Sequence, residues 1–448
     1  MKKYADCQDF SADVPHSLIN RRQAITLLSG ATVSSLIPKT AAFAAAPSSG
    51  YVLSREDEVF LDDFEKRACL FFWEQASPNT GQVLDRARND LAPGARDPRK
   101  MASIASTGFG LTALCIADRR GYLPHDKIVE RVKATLDWHA NHFHHEHGFY
   151  YHFTDIETGV PFPGSEVSSI DTSLLLCGVL TARAYFKDPT IHKLATQIYE
   201  RADWPWMLNG GATFSMGWFP DKGFLDARWA HYCELMMIYL LAIGSPTHPV
   251  PASSWNAWTR PTVEYAGYKY ISGDDPIFTH QYSQAWFDFR GKHDKYANYF
   301  KNSVTATHAH KAFCLSMPKW YSEDYWGISA SDYQGGYTAW GGPPKQGPID
   351  GTVVPNAAAG SLAFVPKDCL HVLHAMKDKW GAKAWGRYGF IDAFHPAANW
   401  YDPDVLGIDQ GVSVIMAENL RSGLIWEIFM RNPETVEAMK KAGFVPEE

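Results

Sequence analysis

Apolar residues recur at helical spacing through most of the chain. Residues 55–76 show this clearly, because Phe60, Phe64, Phe71 and Phe72 repeat at intervals that fit a helix. The same periodicity predicts helices over residues 102–121, 125–143, 168–187, 190–202, 228–243, 283–290, 294–315, 357–378 and 411–431. No alternating apolar and polar pattern, which would indicate strands, runs through the chain. The predicted fold class is therefore all-α.

The predicted helices are separated by loops rich in glycine, proline and aromatic residues. About a dozen helices in pairs fit six helical hairpins closed into an (α/α)6 barrel, with long loops forming a substrate cleft at one end. The pattern alone also allows an irregular helical array or a solenoid, although no repeat of fixed period is present. We expect residues 47–448 to form one domain, since helical barrels can use this many residues as one unit.

The first 46 residues have the order of an export signal. A polar leader ends in Arg21 and Arg22, a moderately apolar run covers residues 24–37, and an A-x-A pattern occupies residues 42–44. The arginine pair before a weakly apolar segment predicts the twin-arginine export machinery as a partner. A Sec signal or an uncleaved anchor is the alternative. Cleavage near residues 44–46 would give a periplasmic or secreted protein.

Composition narrows the class of partner. The 448 residues include 42 basic and 49 acidic residues, a net charge of −7, which gives no general attraction to nucleic acid. After the leader no run of 18 apolar residues occurs, so we expect no stable membrane insertion. The aromatic fraction is 14%, with 16 Trp, which suits a site that grips the flat faces of sugar rings.

The cysteines and histidines give no clear metal site. Six cysteines follow the leader at wide spacing, no C-x-x-C motif occurs, and we expect these cysteines to be free and buried. His142, His144, His145 and His147 form a histidine-rich turn, but no acid or cysteine completes a convincing ligand set. We therefore predict no metal site.

The predicted loops carry many carboxylates beside aromatic rings. Glycoside cleavage needs two such groups, a protonated carboxyl that assists the leaving oxygen and a carboxylate that acts as base or nucleophile. Loops at one end of a helical barrel converge, so they can bring acids from distant positions to one cleft. Taken singly, each acid is more often a surface charge or a helix cap.

Longer segments sharpen this hypothesis. GSEVSSIDTSLLLCGVL, GWFPDKGFLDARWAHYCELMMIYLLAIG, FTHQYSQAWFDFRGKHD, YWGISASDYQGGYTAWGG and DGTVVPNAAAGSLAFVP resemble the glycoamylase-like domain family, over about residues 58–443. That family includes bacterial β-1,2-glucanases and a domain of cyclic β-1,2-glucan synthases. The resemblance implies an (α/α)6 barrel, no cofactor, and hydrolysis of a glucan, most often a β-1,2-glucan, with inversion.

The resemblance also suggests roles for individual residues. Glu234 corresponds to the general acid and Asp409 to the base, with Asp402, Asp404 and Glu418 as alternatives for the base. The remaining residues expected to bind substrate are Glu166, Asp171, Trp218, Arg228, His231, Tyr282, Trp326 and Trp340. Each has a structural alternative: a cap, an ion pair or core packing.

Two other classes of function remain open at this point. A transglycosylase or phosphorylase-like enzyme would use the same kind of cleft, with carboxylates closer together if it retains configuration. A non-catalytic periplasmic glucan-binding protein would keep the aromatic rings without facing acids.

Overall fold

The computed structural model describes residues 51–273, 276–343 and 349–447. The predicted twin-arginine leader over residues 1–46 lies outside the described residues, so export stays a prediction. The described chain is mainly helical, and short strands lead into several of the helices.

Fourteen α-helices occur in the described residues: α1 Arg55–Glu74, α2 Ile104–Arg120, α3 His125–Asp137, α4 Ser169–Tyr185, α5 Pro189–Glu200, α6 Trp204–Leu208, α7 Met236–Gly244, α8 Tyr282–Trp286, α9 Tyr299–Leu315, α10 Pro355–Ala359, α11 Pro366–Trp380, α12 Gly407–Arg421, α13 Leu424–Phe429 and α14 Pro433–Lys441. One π-helical turn, Trp138–His142, continues α3. Short 3₁₀ turns cover Ala252–Asn256, Ile277–His280, Gly381–Lys383 and Pro396–Ala398.

The strands are two to four residues long and pair antiparallel. They are β1 Val83–Leu84, β2 Arg86–Arg88, β3 Met101–Ser103, β4 Phe153–Asp155, β5 Val167–Ser168, β6 Gly217–Phe219, β7 Gly223–Phe224, β8 Thr262–Tyr265, β9 Tyr268–Ile271, β10 Lys292–His293, β11 Ala330–Tyr333, β12 Gly336–Ala339, β13 Trp385–Gly386, β14 Gly389–Phe390, β15 Phe394–His395, β16 Trp400–Tyr401, β17 Asp404–Leu406 and β18 Val445–Pro446. The three-stranded sheets have the orders β1-β3-β4 and β5-β6-β7. The other pairs are β2-β17, β8-β9, β10-β18, β11-β12, β13-β14 and β15-β16.

Side-chain caps fix where the main helices begin. Ser54 and Asp57 form a reciprocal capping box at the start of α1, each side chain accepting from the other's backbone N–H. Ser103 and Ser168 cap α2 and α4 by accepting from the N–H three residues later. α2 ends at Gly121, whose φ of 69° lies in the left-handed region that glycine adopts easily.

Helices α2 and α4 form the centre of the core. Both are buried almost all round, as expected for helices that contact neighbours on every side. A Cβ at Gly108 would lie 2.3 Å from the Leu174 carbonyl oxygen, and one at Gly178 would lie 2.0 Å from the Gly108 carbonyl oxygen. The two backbones therefore touch at this crossing, which a larger residue at either position would force apart.

The remaining helices pack around this pair. α2 also packs against α1 and α12, while α4 packs against α5, α7 and α13. Further along the chain α10 packs against α11 and α12, and α7 packs against α14. The prediction of a mainly helical fold is confirmed.

The structure corrects several details of the sequence interpretation. The short strands were not predicted, because two to four residues are too few to show an alternating pattern. The helix predicted over 357–378 is two helices separated before Pro366, and the one over 411–431 is broken at Gly423, with φ 69°. The helix predicted over 228–243 begins only at Met236.

The cysteines agree with prediction. All six in the described residues are free and buried: Cys69, Cys115, Cys177, Cys233, Cys314 and Cys369. Burial raises the pKa of the Cys314 thiol to about 12, which leaves it neutral and unreactive at ordinary pH. Among the described helices, none combines the length and the apolar character that a membrane span requires.

Candidate active site

The chain places Asp409 by running from a strand directly into helix α12. β17 pairs antiparallel with β2, and Asp409 follows in the first turn of α12. Gly407 and Gly411 flank it, and a Cβ at either would lie within 2.3 Å of Ser106 or Phe109 on α2. The two glycines therefore let α12 approach α2 closely at the level of Asp409.

Five buried aspartates lie together beside this strand-to-helix junction, and we call them the aspartate cluster: Asp332, Asp392, Asp402, Asp404 and Asp409. Carboxylate oxygens of Asp332, Asp402 and Asp404 lie within 4.8 Å of one another. The backbone N–H of Asp332 donates to Asp392 Oδ2 at 2.7 Å, and Asp392 is hydrogen-bonded to Asp409 through the side chains. The aspartate cluster thus joins residues from β11, from the β14–β15 connection, from β17 and the turn before it, and from α12.

Two arginines partly balance this cluster. Arg86 Nη1 donates to Asp332 Oδ2 at 2.5 Å, and Arg99 makes two hydrogen bonds to the Asp404 carboxylate, at 2.5 and 2.9 Å. These guanidinium groups therefore already donate to two of the three carboxylates in the trio. A metal ion bound at these three carboxylates would therefore have to displace the guanidinium groups of Arg86 and Arg99 or lie close to their positive charge.

Burial shifts the protonation of two members. Desolvation, followed by the charge of Asp332, raises the pKa of Asp402 to about 8. Desolvation, followed by the charge of Asp409, raises the pKa of Asp392 well above its usual range. At neutral pH Asp402 is therefore mainly protonated, and the raised pKa of Asp392 acts in the same direction, which lowers the charge that the cluster must bury.

Glu234 lies in the turn just before α7 and is fully buried. Its backbone carbonyl accepts a hydrogen bond from Ser283 Oγ at 2.7 Å, and Ser283 Oγ in turn accepts from the N–H of Met237 at 3.1 Å. Trp229, a few residues earlier, donates from Nε1 to Ser169 Oγ at the start of α4. These bonds fix the Glu234 turn between the beginnings of α4 and α7 and the short helix α8.

Glu166 and Asp171 meet at His152. His152 Nδ1 lies 3.3 Å from Glu166 Oε1, and its Nε2 lies 3.5 Å from Asp171 Oδ1. Ser168 Oγ donates to Asp171 Oδ2 at 2.5 Å while capping α4, so Asp171 is both near the cap and part of this group. All of these side chains are buried. The group has the spacing for a metal ligand set, but its members already contact one another.

Hydrogen bonds place these groups at the same end of the helices. The N–H of Ile104, the first residue of α2, donates to the His152 carbonyl at 3.2 Å. Asp85 links β3 to α12, since its N–H donates to the Met101 carbonyl and its carbonyl accepts from the N–H of Gly407. The beginnings of α2, α4 and α12 are therefore tied together, with carboxylates around them.

The other predicted site residues have varied surroundings. Arg228 donates to the backbone carbonyls of Leu208 and Thr213, so its guanidinium holds a loop in this structure. Desolvation lowers the pKa of the partly buried His231. Trp218 on β6 is half-buried, with its ring 5.8 Å from that of Trp206.

Three of the predicted sugar platforms are core residues in this structure. Tyr282, Trp326 and Trp340 are at most 2% exposed. The Tyr282 ring packs edge-on against Phe109 at 5.6 Å, and Trp340 Nε1 donates to Ser331 Oγ. Protein therefore covers these rings as they stand.

Two side chains of the site were not singled out from the sequence. His152 lies in an aromatic-rich loop, and its contacts with Glu166 and Asp171 depend on pairing across 14 and 19 residues. Asp392 lies between β14 and β15, with no neighbouring pattern to mark it. Glu418, an alternative base, lies nine residues beyond Asp409 on α12 and is bound by Arg120, so it is separate from the cluster.

Comparison with known proteins finds a family model that matches part of the chain. Residues 226–433 match the glycoamylase family model, described as "Putative glucoamylase". This part of the chain is therefore similar to the glycoamylase-like family, and the predicted resemblance is confirmed.

Relatives with assigned activities are also similar. An exo β-1,2-glucooligosaccharide sophorohydrolase (non-reducing end) from Parabacteroides distasonis is 29% identical over 430 residues, 86% of this chain. The alignment spans only 58% of that relative's length.

Solved structures agree in fold. An endo-β-1,2-glucanase from Chitinophaga pinensis, in complex with sophorotriose and glucose, is 28% identical with a TM-score of 0.80, covering 88% of this chain and 99% of that one. A β-1,2-glucanase from Parabacteroides distasonis is 25% identical with a TM-score of 0.79, covering 88% of this chain and 60% of the other.

Proposed function

We propose that this protein is an exported glycoside hydrolase that cleaves β-1,2-glucan. The observation that carries the proposal is the family match over residues 226–433, which contains both Glu234 and Asp409. Similarity to a sophorohydrolase and to β-1,2-glucanases over more than 85% of this chain supports the linkage. No cofactor enters the proposed reaction.

The helices are proposed to close into the (α/α)6 barrel. Contacts between α2 and α4, α4 and α7, α8 and α12, α10 and α12, and α12 and α2 support an inner ring. Ser283 of α8 bonds the N–H of Met237 on α7, and Gln281 beside α8 donates to the Ala357 carbonyl of α10. These two bonds supply the links between α7, α8 and α10.

In the proposed mechanism the two carboxyls have different roles. Glu234 is fully buried, and burial favours the neutral, proton-carrying form that a general acid needs. Asp409 lies in the first turn of α12, where the helix dipole favours the ionised form that a base needs. Water activated by Asp409 would attack the anomeric carbon while Glu234 protonates the leaving oxygen, which inverts the configuration.

Glu166, Asp171, Trp218, Arg228, His231, Tyr282, Trp326 and Trp340 remain the proposed substrate-binding residues. Because the rings of Tyr282, Trp326 and Trp340 are covered, they would contact sugar only after neighbouring residues move. Glu166 and Asp171, joined through His152, would act as one unit.

The experiment is incubation of the purified protein with β-1,2-glucan, β-1,3-glucan and starch, with products resolved by size. We expect β-1,2-glucan alone to be cleaved, and the Glu234→Gln variant to be inactive. Release of disaccharide only would indicate exo action, and a ladder of products would indicate endo action. An Asp90→Asn variant, altered at an exposed aspartate paired with Arg88, is the control with normal activity. Cleavage of starch with no action on β-1,2-glucan would overturn the proposal.

Export through the twin-arginine machinery is a separate part of the proposal. It is supported by Arg21 and Arg22 ahead of the apolar run over residues 24–37. Replacing both arginines by lysine should leave the precursor in the cytoplasm, measured by fractionation against the unaltered chain. Normal periplasmic accumulation of the double variant would contradict twin-arginine export.

A further inference from the structure

Asp392 is held from two sides within the aspartate cluster. It lies between β14 and β15 and is 3% exposed. Its backbone N–H donates to the Asp404 carbonyl at 3.0 Å, and its Oδ2 accepts the N–H of Asp332 at 2.7 Å. Both bonds use backbone groups of strands, so the position of the carboxyl is fixed before substrate binds.

The other contact of this carboxyl is with Asp409. The two side chains are hydrogen-bonded, and both line a cavity of about 10 Å³ together with Asn356, Gln410 and Ser413. Two carboxyl groups can form a hydrogen bond only when one of them carries a proton. When one of the two carboxyls is ionised, the other carries the proton, and the hydrogen bond between them shares it.

The surroundings assign this proton to Asp392. Acidic side chains face it from three elements: Asp332 on β11, Asp402 before β17 and Asp409 on α12. Arg86, a cation within the cluster, is bonded to Asp332 and to Asp85. Burial and these neighbouring charges raise the pKa of Asp392 well above its usual range.

We propose that Asp392 is a positioning residue for the catalytic base: it carries the shared proton, donates it in a hydrogen bond to the Asp409 carboxylate, and so orients that carboxylate toward the attacking water. This inference rests on the proposed function, with Asp409 as the base. It assigns Asp392 no contact with substrate.

The proton balance of the step is simple. The oxygen of water bonds to the anomeric carbon, and its proton passes to the Asp409 oxygen that Asp392 does not bind. The glycosidic bond breaks, and the leaving oxygen takes the proton of Glu234. Asp392 keeps its own proton throughout. After product release, Asp409 gives up one proton and Glu234 takes one from solvent.

Replacement by asparagine separates this role from others. In Asp392→Asn the amide NH₂ can still donate to Asp409, and the amide oxygen can still accept from the N–H of Asp332. We expect turnover on β-1,2-glucan within about threefold of normal, because asparagine imitates a protonated aspartate. Asp392→Ala removes the donor, and we expect a loss of turnover of at least about tenfold with KM little changed.

The pH profile gives a readout that a purely structural role would not change. A hydrogen bond to the ionised form of a carboxyl favours that form. The acid limb of turnover should therefore move to higher pH in Asp392→Ala and stay in place in Asp392→Asn. Thermal melting of each variant shows whether the fold is kept.

The outcomes are distinct. If Asp392→Asn is folded and loses as much turnover as Asp409→Asn, Asp392 acts in its ionised form and the inference is wrong. An unchanged acid limb in folded Asp392→Ala would also overturn it. If Asp392→Ala does not fold, the turnover of Asp392→Asn still tests the inference: retained turnover supports it, and lost turnover overturns it. By contrast, normal turnover of Asp409→Asn, or no cleavage of glucan by the unaltered protein, would refute the proposed function itself.

Discussion

Helix α12 carries buried carboxylates near both of its ends, but their partners differ. At its start, Asp409 lies in a cluster of five aspartates that is contacted by two arginines, Arg86 and Arg99. Near its end, Glu418 is bound by Arg120 and, together with Glu65 of α1, belongs to a network in which Arg421 bonds Glu65. The two sites are about 14 Å apart along the axis, from nine residues at 1.5 Å each.

The difference indicates what each end is built for. Near the end of α12, the buried carboxyls of Glu65 and Glu418 face Arg120 and Arg421, and Arg421 also pairs with Glu58 and Asp62, so ion pairs join α1, α2 and α12. Burial raises the pKa of Glu65 to about 8 as well, so the two ends differ in their ion pairs rather than in having a raised pKa. An excess of carboxyls over cations destabilises a fold unless some carboxyls take up protons, and the raised pKa values of Asp392 and Asp402 favour such uptake. Perturbed carboxyls of this kind are typical of sites that move protons.

The largest expected effect is at the acid-rich end. Acid–base assistance contributes about 10²–10⁴-fold per group, so Glu234→Gln and Asp409→Asn should each lose at least about a hundredfold in turnover on β-1,2-glucan. Both replacements are nearly isosteric, so thermal melting should change little. Near-normal turnover of folded Glu234→Gln would remove Glu234 as the acid.

At the ion-paired end we expect a loss of stability rather than of chemistry. Arg421→Met leaves Glu65 buried without its closest cation, and breaking a buried pair costs about 3–5 kcal/mol of unfolding free energy. Urea denaturation measures this loss, while turnover per folded molecule should stay normal. A matched variant, Arg431→Met, breaks an exposed pair with Glu427 and should cost less than about 1 kcal/mol. Equal losses of unfolding free energy in Arg421→Met and Arg431→Met would contradict this difference between a buried and an exposed ion pair.

A smaller effect concerns the pH dependence of stability. Because the pKa of Asp402 is raised to about 8 in the folded protein, the folded state binds the extra proton between about pH 4 and pH 8, and stability falls as pH rises through that window. Asp402→Asn removes this proton and keeps the acceptor for the N–H of Asp404. It should therefore reduce the fall in unfolding free energy between pH 5 and pH 8 by more than about 1 kcal/mol.

Denaturation at the two pH values tests this, with Asp404→Asn as the control. Asp404 is held by Arg99, so its replacement should lower stability at both pH values without flattening the slope. A slope unchanged in Asp402→Asn would show that this carboxyl titrates normally.

The smallest expected effect is that of metal removal. The two groups with ligand spacing that occur among the described residues are already joined by hydrogen bonds and ion pairs within the protein. Turnover after dialysis against EDTA should equal that of the untreated enzyme. A loss restored by Ca²⁺ or Zn²⁺ would assign a metal to one of these groups.

Helices were easier to predict from the sequence than the site. The long helices α1, α2 and α4 begin and end within two residues of the predicted bounds, because caps such as Ser103 and Gly121 are local signals. The helix predicted from residue 228 begins eight residues later, since the backbone before Met236 bonds instead to partners such as Thr259. Such competition between local and distant partners is not visible in a local pattern.

The acids of the site could be predicted from the family resemblance. The residues around them are brought together only by the fold. Segments around Glu234 and Asp409 carry enough sequence pattern to suggest them. Asp392 meets Asp332 across 60 residues, and no spacing rule connects two residues so far apart. The same holds for Arg228, whose loop-holding bonds to Leu208 and Thr213 follow from the path of the chain.

The central claim is that two carboxyls cleave β-1,2-glucan with inversion, and the anomeric form of the first product tests it most directly. Freshly released sugar should be followed by NMR during the first minutes of digestion, before mutarotation mixes the anomers. Our account predicts that the new reducing end appears as the α-anomer, since a β-linkage is inverted once. Initial release of the β-anomer would contradict it and would make the second carboxylate a nucleophile.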